Sequence, residues 1–294
     1  MNLRPYLTRR NILYAVAGVF LLTLIYLGIR PDTISVEAAP VVRGAFEETI
    51  TEDGVTRIRE KFTILAPVSG VLQRVTTHPG DEIRSGQPVA TIRWDYLRPV
   101  QAPAGGRVLR VLREDAGPIE MGTPIMEIGD PGSLEIVLDL LSADAVRARP
   151  GDIVRIQRWG GHTALEGKVR LIEPHALTRV SALGVEEQRV NALIDITSPP
   201  EEWSTLGDNF RVECTLILTR EDNALKIPSG AVFREGDDWG VFYIDDDVAR
   251  KQRVEILARN PEEVMIDDSL EEGTQVIVYP GDQIQDGVPV EPIE

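Results

Sequence analysis

Three histidines, one cysteine and a run of three aspartates are the residues of this chain with the most obvious chemical use. His78 and His162 stand beside turn-forming proline or glycine, and His175 follows Pro174. No two of them have the i, i+4 spacing that puts paired ligands on one helical face. The chain contains no HExxH, GxSxG, phosphate-binding or dinucleotide-binding signature. An enzyme needs a positioned base, nucleophile or metal, so these spacings predict scattered surface histidines and no enzyme activity. Cys214 lies in RVECTLIL; alone it can form neither an intramolecular disulfide nor a cysteine zinc site, and it reads as a buried strand thiol. Asp245–Asp247 lacks the spaced ligands and closing glutamate of a calcium loop and reads as a solvated turn. The four methionines do not cluster, which argues against copper handling. No metal and no cofactor is expected. One segment has a different chemistry. Trp94, Tyr96, Leu97 and Arg98 put bulky side chains on an apparently exposed connection. Aromatic residues and arginine are enriched at binding hot spots; the plainer reading is that these side chains cover the open end of a small domain.

That connection lies between two copies of an internal repeat. A shift of 36 residues aligns two segments without a gap. Ala66-Pro67-Val68-Ser69-Gly70 falls on Ala102-Pro103-Ala104-Gly105-Gly106. Ile83 then meets Ile119, Gly86 meets Gly122, Pro88 meets Pro124 and Ile92 meets Ile128. In each copy an Ala-Pro-x-x-Gly turn opens onto an alternating strand. A glycine turn and a Gly-x-Pro step into a second short strand follow. Neither copy can bury its apolar face alone, so the pair is expected to close a flattened β-sandwich of about 60–70 residues, near the lower limit for an independent domain.

Composition bounds the rest. The chain has 294 residues, few aromatics and a net charge of −16. Three of its 31 basic residues, Arg4, Arg9 and Arg10, precede an apolar stretch, leaving 28 against 47 acidic groups in the remainder. Such a body repels nucleic acid, and no nucleic-acid partner is expected. Ile12 to Ile29 carries no charge, and its length spans most of a ~30 Å hydrocarbon layer. The basic flank predicts an uncleaved anchor over 12–29, with residues 1–11 in the cytoplasm and the body exported. Arg30-Pro31-Asp32 offers no small-x-small cleavage site.

The paired segments resemble the half-motifs of a biotinyl-lipoyl-like domain. In carrier domains the modified lysine sits at the hairpin between the halves. Here that hairpin is Arg93-Trp94-Asp95-Tyr96-Leu97-Arg98-Pro99, with no amine to acylate, so a biotin or lipoyl carrier is disfavoured. In membrane fusion proteins of the HlyD and resistance-nodulation-division adaptor type, a helical coiled-coil hairpin is inserted at this point. The chain resembles a hairpin-less member of that family. Leu134–Asp139, the Ser142–Arg149 segment with Ser142 as helix N-cap, Pro150-Gly151-Asp152 and VRIQRW resemble the adaptor's β-barrel module. The strands Lys168–Pro174 and Arg189–Ile196 belong with it; the intervening Ser181–Arg189 reads as a loop and strand entry, or as a transporter-facing contact. Leu225–Phe233, a Gly236-Asp237-Asp238 turn and the closing GDQIQDGVPVEPI resemble the membrane-proximal module, which the family completes with the strand after the anchor.

The resemblance implies a mainly β fold: an N-terminal transmembrane helix, then opening strands over 36–62. A lipoyl-like β-sandwich follows over 63–130 (half-motifs 64–92 and 100–128), then a β-barrel domain over 131–223 and a membrane-proximal β domain over 224–294. It implies a non-catalytic periplasmic adaptor in the bacterial inner membrane. The partners implied are an ABC or resistance-nodulation-division transporter, further copies of the chain, and a second adaptor or an outer-membrane channel. Trp94, Tyr96, Leu97 and Arg98 are the candidate contact at the lipoyl-like tip. The alternative function is a membrane-anchored periplasmic binding protein for a metal or small molecule, which needs a ligand constellation that the residues do not supply.

Overall fold

The computed structural model describes residues 14, 16, 18, 19, 33–181 and 183–293. The expected anchor over 12–29 lies, apart from Tyr14, Val16, Gly18 and Val19, outside the described residues. Among those described, no helix is long and apolar enough to cross a membrane. The chain divides into two compact units, one made of residues 1–46 and 221–294 and the other of residues 47–220.

The chain opens with β1 (Ile34–Pro40) and the long β2 (Val42–Ile58). The repeat then supplies β3 (Lys61–Leu65), β4 (Gly70–Leu72), β5 (Glu82–Ile83) and β6 (Pro88–Arg93) from its first copy. Its second copy supplies β7 (Leu97–Gln101), β8 (Gly106–Val111), β9 (Gly117–Ile119) and β10 (Pro124–Gly129). Each half contributes to both layers of the sandwich: the sheets run β3-β10-β8-β5 and β7-β6-β4-β9. Their shared core repeats with the sequence. Ile64, Leu72, Ile83, Val89 and Ile92 are buried in the first half, and Val100, Val108, Ile119, Ile125 and Ile128, 36 residues on, in the second.

The central strands are β11 (Leu134–Leu141), β12 (Ile153–Gln157), β13 (Leu165–Val180), β14 (Glu186–Ile196) and β15 (Arg211–Pro228). In β11 the strand period turns Ile136, Leu138 and Leu140 into a core with Val154, Ile156, Leu165 and Leu216. A single-turn helix α1 (Ser142–Ala145) follows β11; Leu141 takes the cap position with no side-chain hydrogen bond, so Ser142 is the first helical residue and not the cap. β13 and β14 form one long hairpin, and Ser181–Arg189, expected as a loop and strand entry, is its turn together with the first part of β14.

The β-barrel domain expected over 131–223 needs correcting. β12 pairs with β15 as well as β13, but the strands are not a closed, self-contained barrel. They belong to an eight-stranded sheet of order β12-β13-β14-β11-β2-β15-β20-β19, which continues past β15 into β20 (Glu263–Ile266) and β19 (Ile256–Arg259). The physical reason is strand length: β2 and β15, of 17 and 18 residues, extend beyond any single layer that the sequence pattern assigns them to.

In the other unit, β16 (Val232–Glu235), β17 (Asp238–Asp245), β18 (Val248–Val254), β21 (Gln275–Ile277) and β22 (Val290–Ile293) build a sheet around β1. β1 pairs antiparallel with β21 and parallel with β22. The β17–β18 turn places Asp246 and Asp247 at φ 49° and 62°, the left-handed pair that a tight hairpin requires. The triple aspartate is therefore a turn.

Candidate functional site

The two repeats exchange backbone hydrogen bonds across a pseudo-two-fold axis. Gly86 N–H donates to Ala102 O and Gly122 N–H to Ala66 O, each at 2.8 Å; Ala66 N–H donates to Thr123 O and Ala102 N–H to Gln87 O, each at 2.9 Å. This symmetry relates the two ends of the sandwich. At one end β3 and β10, which are paired, join β2 and β11, which are also paired, with Leu134 opposite Ile58. At the other end the equivalent pair, β7 and β6, is joined directly by Trp94-Asp95-Tyr96. The first end is a neck and the second a free tip.

The tip brings the predicted contact residues together. Trp94 N–H donates to Tyr96 O at 3.2 Å, closing the turn, and Arg98 stands opposite Ile92 in the β6–β7 register. Trp94, Tyr96 and Leu97 are 57%, 62% and 61% exposed. They do not plug the sandwich, whose end is filled by Ile92 and Val100. Pro99 lies on β7, the outer strand of its sheet, where a missing N–H leaves no ladder bond unmade.

The neck is held by polar contacts that the sequence reading missed. Glu135, only 4% exposed, accepts from Arg57 Nε at 2.8 Å and Nη2 at 2.5 Å, and from Arg170 Nη2. Arg59 Nε lies 3.6 Å from its other oxygen. Asp195 bridges Arg59 and Arg170 at 2.5 and 2.9 Å. Asp208 clips the start of the sandwich: its Oδ1 accepts from Ile58 N–H at 2.9 Å and its Oδ2 pairs with Lys61 Nζ at 2.9 Å. A glutamate within the apolar run LEIVLDLL, set against a strand reading TRIRE, was the available signal.

Cys214 is fully buried on β15, and burial, with Asp53 and Glu213 nearby, pushes its thiol pKa up to about 12. His78, His162 and His175 are dispersed over the surface. Among the described residues no group of three or more His, Cys, Asp or Glu side chains could hold a metal ion.

Two family models match parts of the chain. Residues 62–128 match the family described as Biotin-requiring enzyme, yet contain no lysine; residues 224–292 match the YknX C-terminal permuted SH3-like domain. The chain thus carries a lipoyl-like sandwich, with no lysine in the hairpin between its halves, and a match to a permuted SH3-like module, an order similar to that of HlyD-type membrane fusion proteins. Among individual proteins, it is 26% identical over 200 residues to the putative efflux system component YknX of Bacillus subtilis. That match covers 65% of this chain and 51% of the relative, so the chain spans about half the relative's length. The crystal structure of MacA from Actinobacillus actinomycetemcomitans superposes with a TM-score of 0.67 at 13% identity, covering 83% of this chain and 99% of that one. A MacA–MexA chimera containing the Pseudomonas aeruginosa MexA α-hairpin domain superposes with a TM-score of 0.61 at 14% identity, covering 82% and 99%. At these identities the structural likeness establishes the fold.

Proposed function

We propose that the chain is the non-catalytic adaptor subunit of an inner-membrane export pump. Residues 12–29 anchor it and the body faces the periplasm. It couples a transporter, of the ABC or the resistance-nodulation-division type, to export. The observation that carries this reading is the sandwich: a lipoyl-like domain with no lysine in the hairpin where carrier domains are acylated, joined by a braced neck to the adjacent strands β2 and β11. Such a domain has lost carrier chemistry and retains a rigid, exposed tip. Trp94, Tyr96, Leu97 and Arg98 at that tip contact the next component, a second adaptor or an outer-membrane channel, and several copies assemble in the pump.

The test is a native pull-down of the full chain through a C-terminal tag after mild solubilisation, read by mass spectrometry. Co-purification of a stoichiometric polytopic transporter is the expected result and names its class. A Trp94→Ala/Tyr96→Ala variant should keep the transporter and lose the component at the tip. A chain that is solitary in several detergents, with and without cross-linking, would reject the adaptor reading in favour of a periplasmic binding protein.

A further inference from the structure

The sandwich has a core of its own, separate from the core built on β11. Two chain connections join it to the adjacent strands: Arg59-Glu60 between β2 and β3, and Asp130–Ser133 between β10 and β11. One apolar contact crosses with them. Leu109 on β8 packs against the core that contains Ile58. Gly129 makes room for it, since a Cβ there would lie 2.9 Å from Ile58 and 3.2 Å from Leu109. The equivalent position at the tip, 36 residues earlier, is Arg93. Among the described residues a single side-chain ion pair also crosses, from Lys61 Nζ to Asp208 Oδ2 at 2.9 Å. The other ion pairs of the sandwich are internal, such as Arg110 with Glu127 at 3.1 Å and Arg74 with Glu114 at 3.2 Å.

Asp208 is mounted firmly on the side of the pair away from the sandwich. It lies in the 197–210 loop, whose Trp203 and Leu206 are buried in the core built on β11. Thr56 secures the end of that loop. Its Oγ1 donates to Gly207 O at 2.6 Å and accepts from Phe210 N–H at 2.8 Å, and its carbonyl accepts from Asn209 N–H at 2.8 Å. From this mount one carboxylate grips both sides of the Arg59-Glu60 turn. Oδ1 accepts from the N–H of Ile58, the last residue of β2, and Oδ2 from Lys61, the first residue of β3. The carboxylate thereby sets the angle between the two strands. Lys61 and Asp208 keep 35% and 18% of their side chains in solvent, so dissolved ions reach the pair. There is also room to move. A cleft of about 790 Å³ has Arg107, Leu109 and Glu127 of the sandwich on one side and Ser204 and Phe210 of the loop on the other.

We propose that the Lys61–Asp208 pair is a latch that fixes the direction of the sandwich. With the latch open, the sandwich swings about Arg59-Glu60 and Asp130–Ser133 on the Leu109 contact, and the cleft changes width while both cores stay packed. A few residues at element ends are enough to absorb such a motion. At about 3.3 Å per residue the six-residue β10 makes the sandwich about 20 Å long, so a swing of roughly 15° moves the tip by about 5 Å. The latch thus decides where Trp94, Tyr96 and Leu97 point. The inference rests on the adaptor reading only for the use of that movement.

The test uses the full chain in detergent with spin labels at Met121→Cys on the sandwich and Val146→Cys beside α1, both highly exposed; Cys214 is buried and stays unlabelled. Pulsed electron resonance reads the distance distribution between the labels. The parent should give one narrow distribution. Lys61→Met removes the cation, and Asp208→Asn removes the charge while keeping an oxygen for Ile58 N–H. Each should broaden the distribution or move it by about 5 Å, the displacement worked from strand length. Lys61→Arg should keep the parent distribution. In about 1 M salt, where the screening length falls to about 3 Å, the parent should broaden towards the variants and the variants should not change. Arg110→Gln, which breaks an ion pair inside the sandwich, should leave the distribution as it is. A parent-like distribution in Lys61→Met and Asp208→Asn, or equal broadening in Arg110→Gln, overturns the proposal. Thermal melts of the same samples should stay cooperative, separating a swing from unfolding. The measurement needs no partner. An unmoved sandwich in a chain that captures a transporter rejects the latch alone, and a working latch in a solitary chain rejects the adaptor reading alone.

Discussion

Removing the charge of Glu135 should cost more than a surface ion pair and less than a fully buried one. The carboxylate is 4% exposed and faces three guanidinium groups, while the arginines remain 38–44% exposed. In Glu135→Gln the strand keeps its shape, but Arg59 and Arg170 retain only the carboxylate of Asp195, and Arg57 loses its carboxylate partner. Deleting one partner of a buried pair costs about 3–5 kcal/mol. Solvent screening of the half-exposed arginines lowers that to about 2 kcal/mol. In urea, with a slope of about 2 kcal/mol/M, the midpoint of the unit containing residues 47–220 should fall by about 1 M. The remaining arginines repel one another through water-accessible paths, so 0.5 M salt should return part of the loss in the variant and little in the parent. A midpoint shift below about 0.2 M would refute the reasoning, because the carboxylate would then be replaceable by water. A full shift without salt response would assign the loss to the hydrogen bonds instead of the charge.

A Cβ at Gly70 would sit 2.6 Å from Arg93 O, and one at Gly106 would sit 2.6 Å from Gly129 O, the same clash in each repeat. Gly70→Ala and Gly106→Ala should each destabilise by about 1–3 kcal/mol in thermal melts. The Asp53 carboxyl is held below its ordinary pKa by its hydrogen bond from Arg211, against a smaller opposing effect of burial. Its contribution is therefore present above the unfolded value near 3.8 and lost as pH falls through the lower folded value. Asp53→Asn should remove that part of the acid limb of a stability–pH profile. With its thiol pKa near 12 and no exposure, Cys214 should stay unlabelled by a maleimide at pH 8 and react fully in denaturant. A helical hairpin inserted between Trp94 and Tyr96 should leave the melting temperature of the body within a few degrees, since the turn makes a single backbone hydrogen bond of its own.

The sandwich was legible because a duplicated sequence reports each core position twice: Ile83 with Ile119 and Ile92 with Ile128 are apolar in register and buried in register. The fold class beyond it was legible as strands and turns but not as layers. Nothing in Val42–Ile58 or Arg211–Pro228 marks where a strand passes from one set of partners to the next, because the alternation of side chains continues unbroken along both. The β13–β14 hairpin was underread for a related reason. Its outer part is exposed on both faces, so Leu177–Gln188 carries no one-sided apolar pattern, and a loop is the natural reading. The exposure of Trp94 and Tyr96 was legible from composition, since they flank a turn that needs neither. The neck was not: Glu135, Arg57, Arg170 and Asp195 come from four strands and Arg59 from the turn after β2, and only the pairing of β11 with β2 and β14, and of β14 with β13, brings them together.

The pseudo-two-fold axis gives the tip a meaning that its exposure alone does not. At the neck, a paired β3 and β10 continue into a paired β2 and β11, so the sandwich already shows that this strand pair can be extended by another module. The β6–β7 pair is the same structure 36 residues earlier, ended by a three-residue turn. A family that inserts a helical hairpin there and a chain that closes the turn directly differ at one site of a common scaffold, not in its architecture. The direct closure shortens the reach of the tip while leaving Trp94, Tyr96 and Leu97 as the apolar end of a short arm. On the function proposed above, the next component is met close to the lipoyl-like body. On that proposal the contact is made by aromatic side chains on a turn rather than by a long helical interface, so substituting two side chains should suffice to release the partner.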